Sequence, residues 1–151
     1  MPTYNVTVKP NTFSPEQKSK IAKAITKKHH ELTGAPEFYV QVIIDEVPGR
    51  ARFVSGYPCD KQTWICGYIR SGRNEEQRGE LMRAIVKEVA EAAEIDSNTI
   101  WFDLVIIDPT NILKYNQVFP PAGGEAEWLE SLPTEAKAII EELKAGTWDE
   151  E

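Results

Sequence analysis

The sequence predicts an α+β fold in which two consecutive β-α-β units form a four-stranded sheet with two helices on one face. The chain has 151 residues, and it contains two similar helix starts 60 residues apart, at residues 14–17 (SPEQ) and 74–77 (NEEQ). The string VIID occurs at residues 42–45 and again at 105–108, an offset of 63 residues. A strand-like run precedes and follows each helix, so one supersecondary unit is repeated.

The first unit is expected over residues 2–48. Residues 3–8 (TYNVTV) are rich in β-branched side chains, which is typical of a strand. Ser14 with Gln17 three positions later is a capping-box start, and Ile21 and Ile25 follow at helical spacing. A strand over residues 38–46 completes the unit. A helical crossover of this length joins parallel strands and is expected to be right-handed.

The second unit is expected over residues 62–110, with strands at 63–69 and 100–108 and a helix that begins after Asn74. Both helices would cover the same sheet face. Residues 42–44 are nevertheless apolar on both faces of their strand, so the other face needs a partner. The chain is therefore predicted to form a homo-oligomer.

Residues 1–122 are predicted to form the repeat domain, and residues 123–151 a C-terminal helical extension. The extension contains a helical segment over residues 125–132. After Pro133 comes an amphipathic helix with Ile139, Ile140 and Leu143, which ends near Gly146. This helix is expected to pack on a neighbouring subunit or to dock loosely on its own chain.

The composition excludes several classes of function. With 24 acidic and 17 basic residues the net charge is -7, which disfavours binding to nucleic acid or an anionic membrane surface. No run approaches the roughly 20 apolar residues of a membrane span, so we expect a soluble, cytoplasmic protein. Cys59 and Cys66 are too few for a disulfide scaffold. The adjacent His29 and His30 would point about 100° apart on a helix, so no metal site is expected, and nothing indicates a cofactor.

Pro2 is the first candidate for chemistry. If Met1 is removed, Pro2 becomes a free secondary amine that can accept and return a proton. If Met1 is retained, the same nitrogen is a non-basic amide. The alternative is an ordinary proline at the start of an edge strand.

The turn Arg70-Ser71-Gly72-Arg73 leads into the second helix. Two arginines beside a helix N-terminus suit a small carboxylate, because the guanidinium group binds carboxylates with two hydrogen bonds. Solvated surface arginines are the alternative. His29 falls at the border of the apolar stripe of the first helix, where it could serve chemistry or be a hydrogen-bonded structural residue.

Together these features resemble the tautomerase superfamily, and most of all the branch of cis-3-chloroacrylic acid dehalogenase. The similarity covers almost the whole chain. It includes residues 1–4 (MPTY), 24–26 (AIT) before His29, 32–34 (LTG), 41–42 (QV), 70–73 (RSGR), 92–96 (AAEID), 100–101 (IW), and Gly123, Glu125, Glu127 and Trp128.

The resemblance implies a homotrimer in which Pro2 is the acid/base, Arg70 and Arg73 hold a substrate carboxylate, and His29 positions substrate or water. Two positions depart from the branch. Its water-activating glutamate falls on Lys114, and its active-site tyrosine falls on Asp103, with the neighbouring Phe102 as an alternative. A lysine with an ordinary pKa near 10.4 cannot take a proton from water at neutral pH. By their positions, Asp103 and Lys114 are expected to contact the substrate, and Asp103 could also neutralise the arginines.

Three functions remain open. The leading hypothesis is a tautomerase that acts on a small 2-oxo acid or its enol, because this reaction needs a base and a carboxylate anchor but no activated water. The second is a hydratase or cis-3-haloacrylate dehalogenase, which the overall likeness favours and Lys114 opposes. The third is a non-catalytic trimeric homologue that has lost the site.

Overall fold

The computed structural model describes residues 2–146; Met1 and the last five positions of the predicted extension lie outside the described residues. The helices and strands follow in this order along the chain: β1 (Thr3–Val8), α1 (Pro15–Thr33), β2 (Gln41–Glu46), β3 (Phe53–Val54), β4 (Tyr57–Pro58), β5 (Thr63–Arg70), α2 (Glu75–Ala93), β6 (Ile100–Ile107), β7 (Leu113–Lys114), β8 (Gln117–Val118), α3 (Glu125–Ser131) and α4 (Thr134–Ala145).

The predicted repeat is confirmed. Strands β2, β1, β5 and β6 form one sheet in that order, in which β1 and β2 are parallel, β5 and β6 are parallel, and β1 and β5 are antiparallel. Helices α1 and α2 pack against each other. Their starts follow the local code: Ser14 and Gln17 form one capping box, and Asn74 and Gln77 form the other. None of the helices within residues 2–146 is long and apolar enough to span a membrane.

The main core lies between the two helices and one sheet face. It contains Tyr4 and Val6 of β1, Ile25 of α1, Ile65 of β5 and Ile85 of α2, all completely buried. Alternate residues point to the opposite face of each strand. That opposite face keeps large apolar side chains exposed, and four of them are Ile43, Trp64, Trp101 and Val105, between 36% and 53% exposed.

A second core forms under the C-terminal helices. Trp128 of α3, Leu132, and Ala136 and Ile140 of α4 pack with Tyr39 and Phe119 of the same chain. The C-terminal helices therefore pack on their own chain, and additional packing on a neighbouring subunit stays a prediction. The strand expected from residue 38 also begins later, because Glu37–Tyr39 form a short 3-10 turn before β2.

Candidate active site

The antiparallel pairing of the two central strands brings the predicted residues together. Thr3 of β1 lies opposite Tyr68 of β5, so the start of β1 and the end of β5 are at the same edge of the sheet. Pro2 directly precedes β1, and Arg70 is the last residue of β5. Helix α1 runs back towards the start of β1, which brings His29 to this edge. Pro2, His29 and Arg70 are far apart in the sequence, and the fold brings them to the same edge of the sheet.

A small cavity at this edge is lined by all four residues predicted as catalytic, Pro2, His29, Arg70 and Arg73. Four residues that the sequence did not single out complete it: Ala35, Tyr39, Ile69 and Phe119. Its volume of about 10 Å³ is close to the space that one water molecule needs. A carboxylate substrate would therefore require movement of the surrounding side chains.

His29 is buried from solvent and forms a hydrogen bond with Tyr4 in the core. Its side chain is 1% exposed, and its Nδ1 lies 2.7 Å from the Tyr4 hydroxyl oxygen. Burial, and then the positive charges of Arg73 and Arg70, lower the pKa of His29 to about 3. Burial raises the pKa of Tyr4, so this tyrosine keeps its proton. A tyrosine that donates to Nδ1 leaves the imidazole proton on Nε2, and the histidine is a neutral donor at physiological pH.

Gly67 makes this arrangement of Tyr4 sterically possible. A Cβ atom at Gly67 would lie 2.7 Å from the Tyr4 ring and 2.9 Å from the Leu104 side chain. The ring of Tyr4 therefore crosses β5 where there is no side chain. Because Gly67 has no side chain, the Tyr4 ring can occupy the position from which its hydroxyl contacts His29.

Arg70 is engaged by the C-terminal part of its own chain. The side chain is 4% exposed, its Nη1 donates to the Pro120 carbonyl at 2.7 Å, and its Nη2 forms an ion pair with the Glu125 carboxylate. The guanidinium also lies 5.0 Å from the centre of the Phe119 ring. Burial raises the pKa of Glu125, but backbone amides and Arg70 lower it overall, so Glu125 is ionised at neutral pH. One of the two arginines already holds a carboxylate.

Arg73, unlike Arg70, lies in the turn before α2 and is not ion-paired with Glu125. Gly72 adopts a left-handed backbone conformation with φ 127°, which a residue with a side chain rarely adopts, and this turn carries Arg73 to the cavity. The Arg73 carbonyl accepts a hydrogen bond from Arg78 Nη1 at 2.5 Å. Among residues 2–146, no hydrogen bond or ion pair holds the Arg73 guanidinium. Burial and the charge of Arg70 lower its pKa, and the group stays a cation available for an anion.

The structure does not bring Asp103 or Lys114 to this cavity within one chain. Asp103 lies on the open sheet face, and its Oδ2 accepts a hydrogen bond from Trp64 Nε1 at 2.7 Å. It is Glu125, and not Asp103, that neutralises an arginine inside the chain. Phe102 lies on the opposite face of β6, where its ring contacts Tyr4 in the core.

Lys114 lies in the β7–β8 hairpin. The pKa of its side chain differs from the ordinary lysine value that was assumed from the sequence. Burial lowers the pKa of Lys114 to about 8, well below its ordinary value. A lysine with this pKa is neutral in a fraction of molecules near neutral pH, and the neutral amine can accept a proton. Its predicted contact with substrate has no support inside one chain.

A wider open groove of about 630 Å³ runs along α2 and β6, and of the positions named in the sequence analysis as site candidates it contains only Phe102. Its lining is mostly apolar, with Met82, Val86 and Phe102 among the contributing side chains. We place the candidate site at the smaller cavity because the ionisable side chains converge there.

Among the site residues that the sequence analysis missed, two carry ionisable groups, Tyr39 and Glu125. Tyr39 falls where a strand was expected, and Glu125 was noted only as part of a similar stretch. The ion pair of Glu125 with Arg70 joins positions 55 residues apart, so no local pattern reveals it.

Comparisons with known proteins find relatives that cover most of this chain. A family model described as "Putative oxalocrotonate tautomerase enzyme" matches residues 1–131. The crystal structure of N1, a member of the cis-3-chloroacrylic acid dehalogenase family, is 29% identical with a TM-score of 0.85 and covers 95% of this chain and 99% of its own. Native Ps01740 is 28% identical with a TM-score of 0.70, covering 74% and 99%.

The R7 fused 4-OT trimer, at 20% identity and a TM-score of 0.70 with 77% and 94% covered, shares the fold. A comparison with curated protein sequences found no significant match.

Proposed function

This chain belongs to the tautomerase superfamily, in the family of putative oxalocrotonate tautomerases, and on that premise we propose that it interconverts a small 2-oxo acid and its enol, with Pro2 as the acid/base. The observation that carries the proposal is the convergence of Pro2, His29, Arg70 and Arg73 on one cavity. Residues from the chain start, a helix and a turn meet there.

The reaction needs one mobile proton and no co-reactant. The neutral Pro2 amine takes the hydroxyl proton of the enol as the C2–O bond becomes a carbonyl. The electron pair of the C2–C3 double bond then takes the same proton from the prolinium to form a C3–H bond. The guanidinium charge of Arg73, which has no ion-pair partner within residues 2–146, and burial both disfavour the protonated amine, so they favour a neutral base at the start of the cycle.

Arg73 is the better carboxylate anchor of the two arginines. Arg70 is paired with Glu125 and the Pro120 carbonyl, while the Arg73 guanidinium has no such partner within the described chain. A bidentate contact from Arg73 fixes the substrate carboxylate. His29, with its proton on Nε2, can donate a hydrogen bond to substrate and thereby orient it.

We further propose that three copies assemble and complete the site. The open sheet face exposes Ile43, Trp64, Trp101 and Val105, which is the apolar surface that a second copy would cover. Asp103 lies on this face, so in an assembly it would face a neighbouring protomer. R7 fused 4-OT was solved as an asymmetric trimer. Sedimentation equilibrium at three times the chain mass would support the assembly, and a monomer would contradict it.

The second candidate, a hydratase or cis-3-haloacrylate dehalogenase, is favoured by the similarity to N1, a member of the cis-3-chloroacrylic acid dehalogenase family. The pKa of Lys114, about 8, leaves about a tenth of its amines neutral near pH 7. Halide release from cis-3-chloroacrylate that is lost in both Pro2→Ala and Arg70→Ala would promote this candidate above the first.

Ketonisation of an arylenolpyruvate, followed by its ultraviolet absorbance, tests the leading proposal. Pro2→Ala is expected to abolish conversion, whereas Pro48→Ala, at an exposed proline, should keep the wild-type rate. Unchanged turnover in Pro2→Ala would contradict the proposal. If the wild type converts neither substrate and binds no small carboxylate, the chain is the non-catalytic homologue.

A further inference from the structure

Tyr39 has a buried hydroxyl group with no hydrogen-bond partner. The residue is 1% exposed, and its Oη is one of two buried side-chain polar atoms within residues 2–146 that lack a partner. Buried polar groups in proteins nearly always have partners, because a buried hydroxyl without one is destabilising. A phenylalanine here would keep the ring and avoid that cost. The hydroxyl therefore needs an explanation other than stability.

The ring of Tyr39 is fixed by three aromatic neighbours. Its centre lies 4.7 Å from that of Phe38, 5.3 Å from that of Phe119 and 6.3 Å from that of Trp128, all edge-to-face. Such contacts hold a ring in one orientation. The hydroxyl is therefore already fixed before a ligand binds, so binding costs no further side-chain entropy at Tyr39. This is the property of a preorganised hydrogen-bond donor.

Tyr39 lines the same cavity as Pro2, His29 and Arg73. Its hydroxyl lies close enough to the ion pair of Arg70 and Glu125 for both charges to influence its ionisation. Burial raises the pKa of Tyr39 to about 12, with a further rise from Glu125 and a smaller opposing effect of Arg70. The group is therefore a hydrogen-bond donor throughout the neutral pH range.

We propose that Tyr39 is a further catalytic residue, whose hydroxyl donates a hydrogen bond to the C2 oxygen of the bound 2-oxo acid and of its enolate. This rests on the function proposed above and adds a fourth substrate contact to those of Arg73, Pro2 and His29. Arg73 binds the carboxylate, Pro2 moves the proton, and Tyr39 stabilises the oxygen on which negative charge develops. The step moves no atom to or from Tyr39, so it needs no co-reactant.

The test compares Tyr39→Phe with wild type, and Tyr115→Phe is the matched control. Tyr115 contacts Trp128 in the same aromatic cluster, at 6.2 Å between ring centres, but does not line the cavity. Removing one oxyanion donor costs about 10²-fold in kcat. Tyr39→Phe should therefore lose about 10²-fold in kcat with little change in KM, while its urea midpoint stays equal or rises. Tyr115→Phe should keep the wild-type kcat.

A binding measurement separates this inference from the proposed function. Oxalate resembles the enolate of a 2-oxo acid, whereas propionate has a carboxylate but no oxygen at C2. By calorimetry, Tyr39→Phe should bind oxalate about 10-fold or more weakly than wild type and propionate equally well. Equal oxalate affinity and equal kcat in an active enzyme would overturn the role of Tyr39 alone. A wild type that binds no oxalate and converts no 2-oxo acid would overturn both proposals.

Discussion

The pairing of Arg70 with Glu125 predicts how one substitution, Glu125→Gln, changes stability and ligand binding in opposite directions. Arg70 is 4% exposed and the Glu125 side chain 21% exposed, so the pair is mostly out of water. Removing one partner of a buried ion pair outright is expected to cost about 3–5 kcal/mol. Glutamine keeps an oxygen that can accept from Arg70, so we expect a smaller loss of about 1–3 kcal/mol in the free energy of unfolding.

The same substitution should strengthen carboxylate binding. With Glu125 neutral, the positive charge of Arg70 is available beside that of Arg73. A hydrogen bond to a charged group contributes about 1.5–3 kcal/mol, which corresponds to a Kd about 10- to 150-fold lower. The substitution should also weaken the contact of the segment from Pro120 to Glu125 with Arg70. A more mobile segment would help a ligand enter a cavity of about 10 Å³.

Urea unfolding at one fixed protein concentration, with and without propionate, measures both effects. Glu125→Gln should have a lower midpoint without propionate and a larger stabilisation by it than wild type, since stabilisation by a ligand grows with the logarithm of its concentration divided by its Kd. Glu127→Gln is the control, because Glu127 lies on the same first turn of α3 and is exposed. If Glu125→Gln matches Glu127→Gln in both the midpoint and the propionate response, the ion pair does not control Arg70.

Two further predictions concern the tyrosine and histidine beside Pro2. Because the pKa of His29 is about 3 in the folded chain and about 6.5 when unfolded, the unfolded state binds the extra proton as the pH falls, and stability should drop by about 2 kcal/mol between about pH 8 and about pH 5. His29→Asn should remove that part of the pH dependence in urea titrations; an unchanged slope would contradict the burial argument. Gly67→Ala should push the Tyr4 ring aside, lowering stability by about 1–3 kcal/mol and reducing turnover. A variant with both values at wild-type level would show that Tyr4 needs no such space.

The sequence predicted the repeat well because its signals are local. A capping box spans four residues, and Ser14 with Gln17 specifies a helix start without reference to the rest of the chain. The strands were equally visible in short runs of β-branched residues. The strand order and the antiparallel pairing of β1 with β5 were not predicted, because they depend on contacts between the two units and not on local patterns.

The candidate site was predicted only in part. Pro2 and Arg73 carry recognisable chemistry in their immediate surroundings, and both line the cavity. The pairing of Arg70 with Glu125 depends instead on how the C-terminal segment folds back over β5, which no local spacing encodes. Tyr39 was equally hidden, because an aromatic residue before a strand gives no sign that its hydroxyl lacks a partner.

In the proposed mechanism, Pro2 acts as a free N-terminal amine. Intact-protein mass spectrometry before and after incubation with an acetylenic 2-oxo acid tests it directly, because a neutral secondary amine adds to the activated triple bond. We predict a chain that lacks Met1 and gains the mass of one reagent molecule, with the modified peptide beginning at Pro2. A chain that retains Met1, or one that is modified only at other residues, would contradict the account.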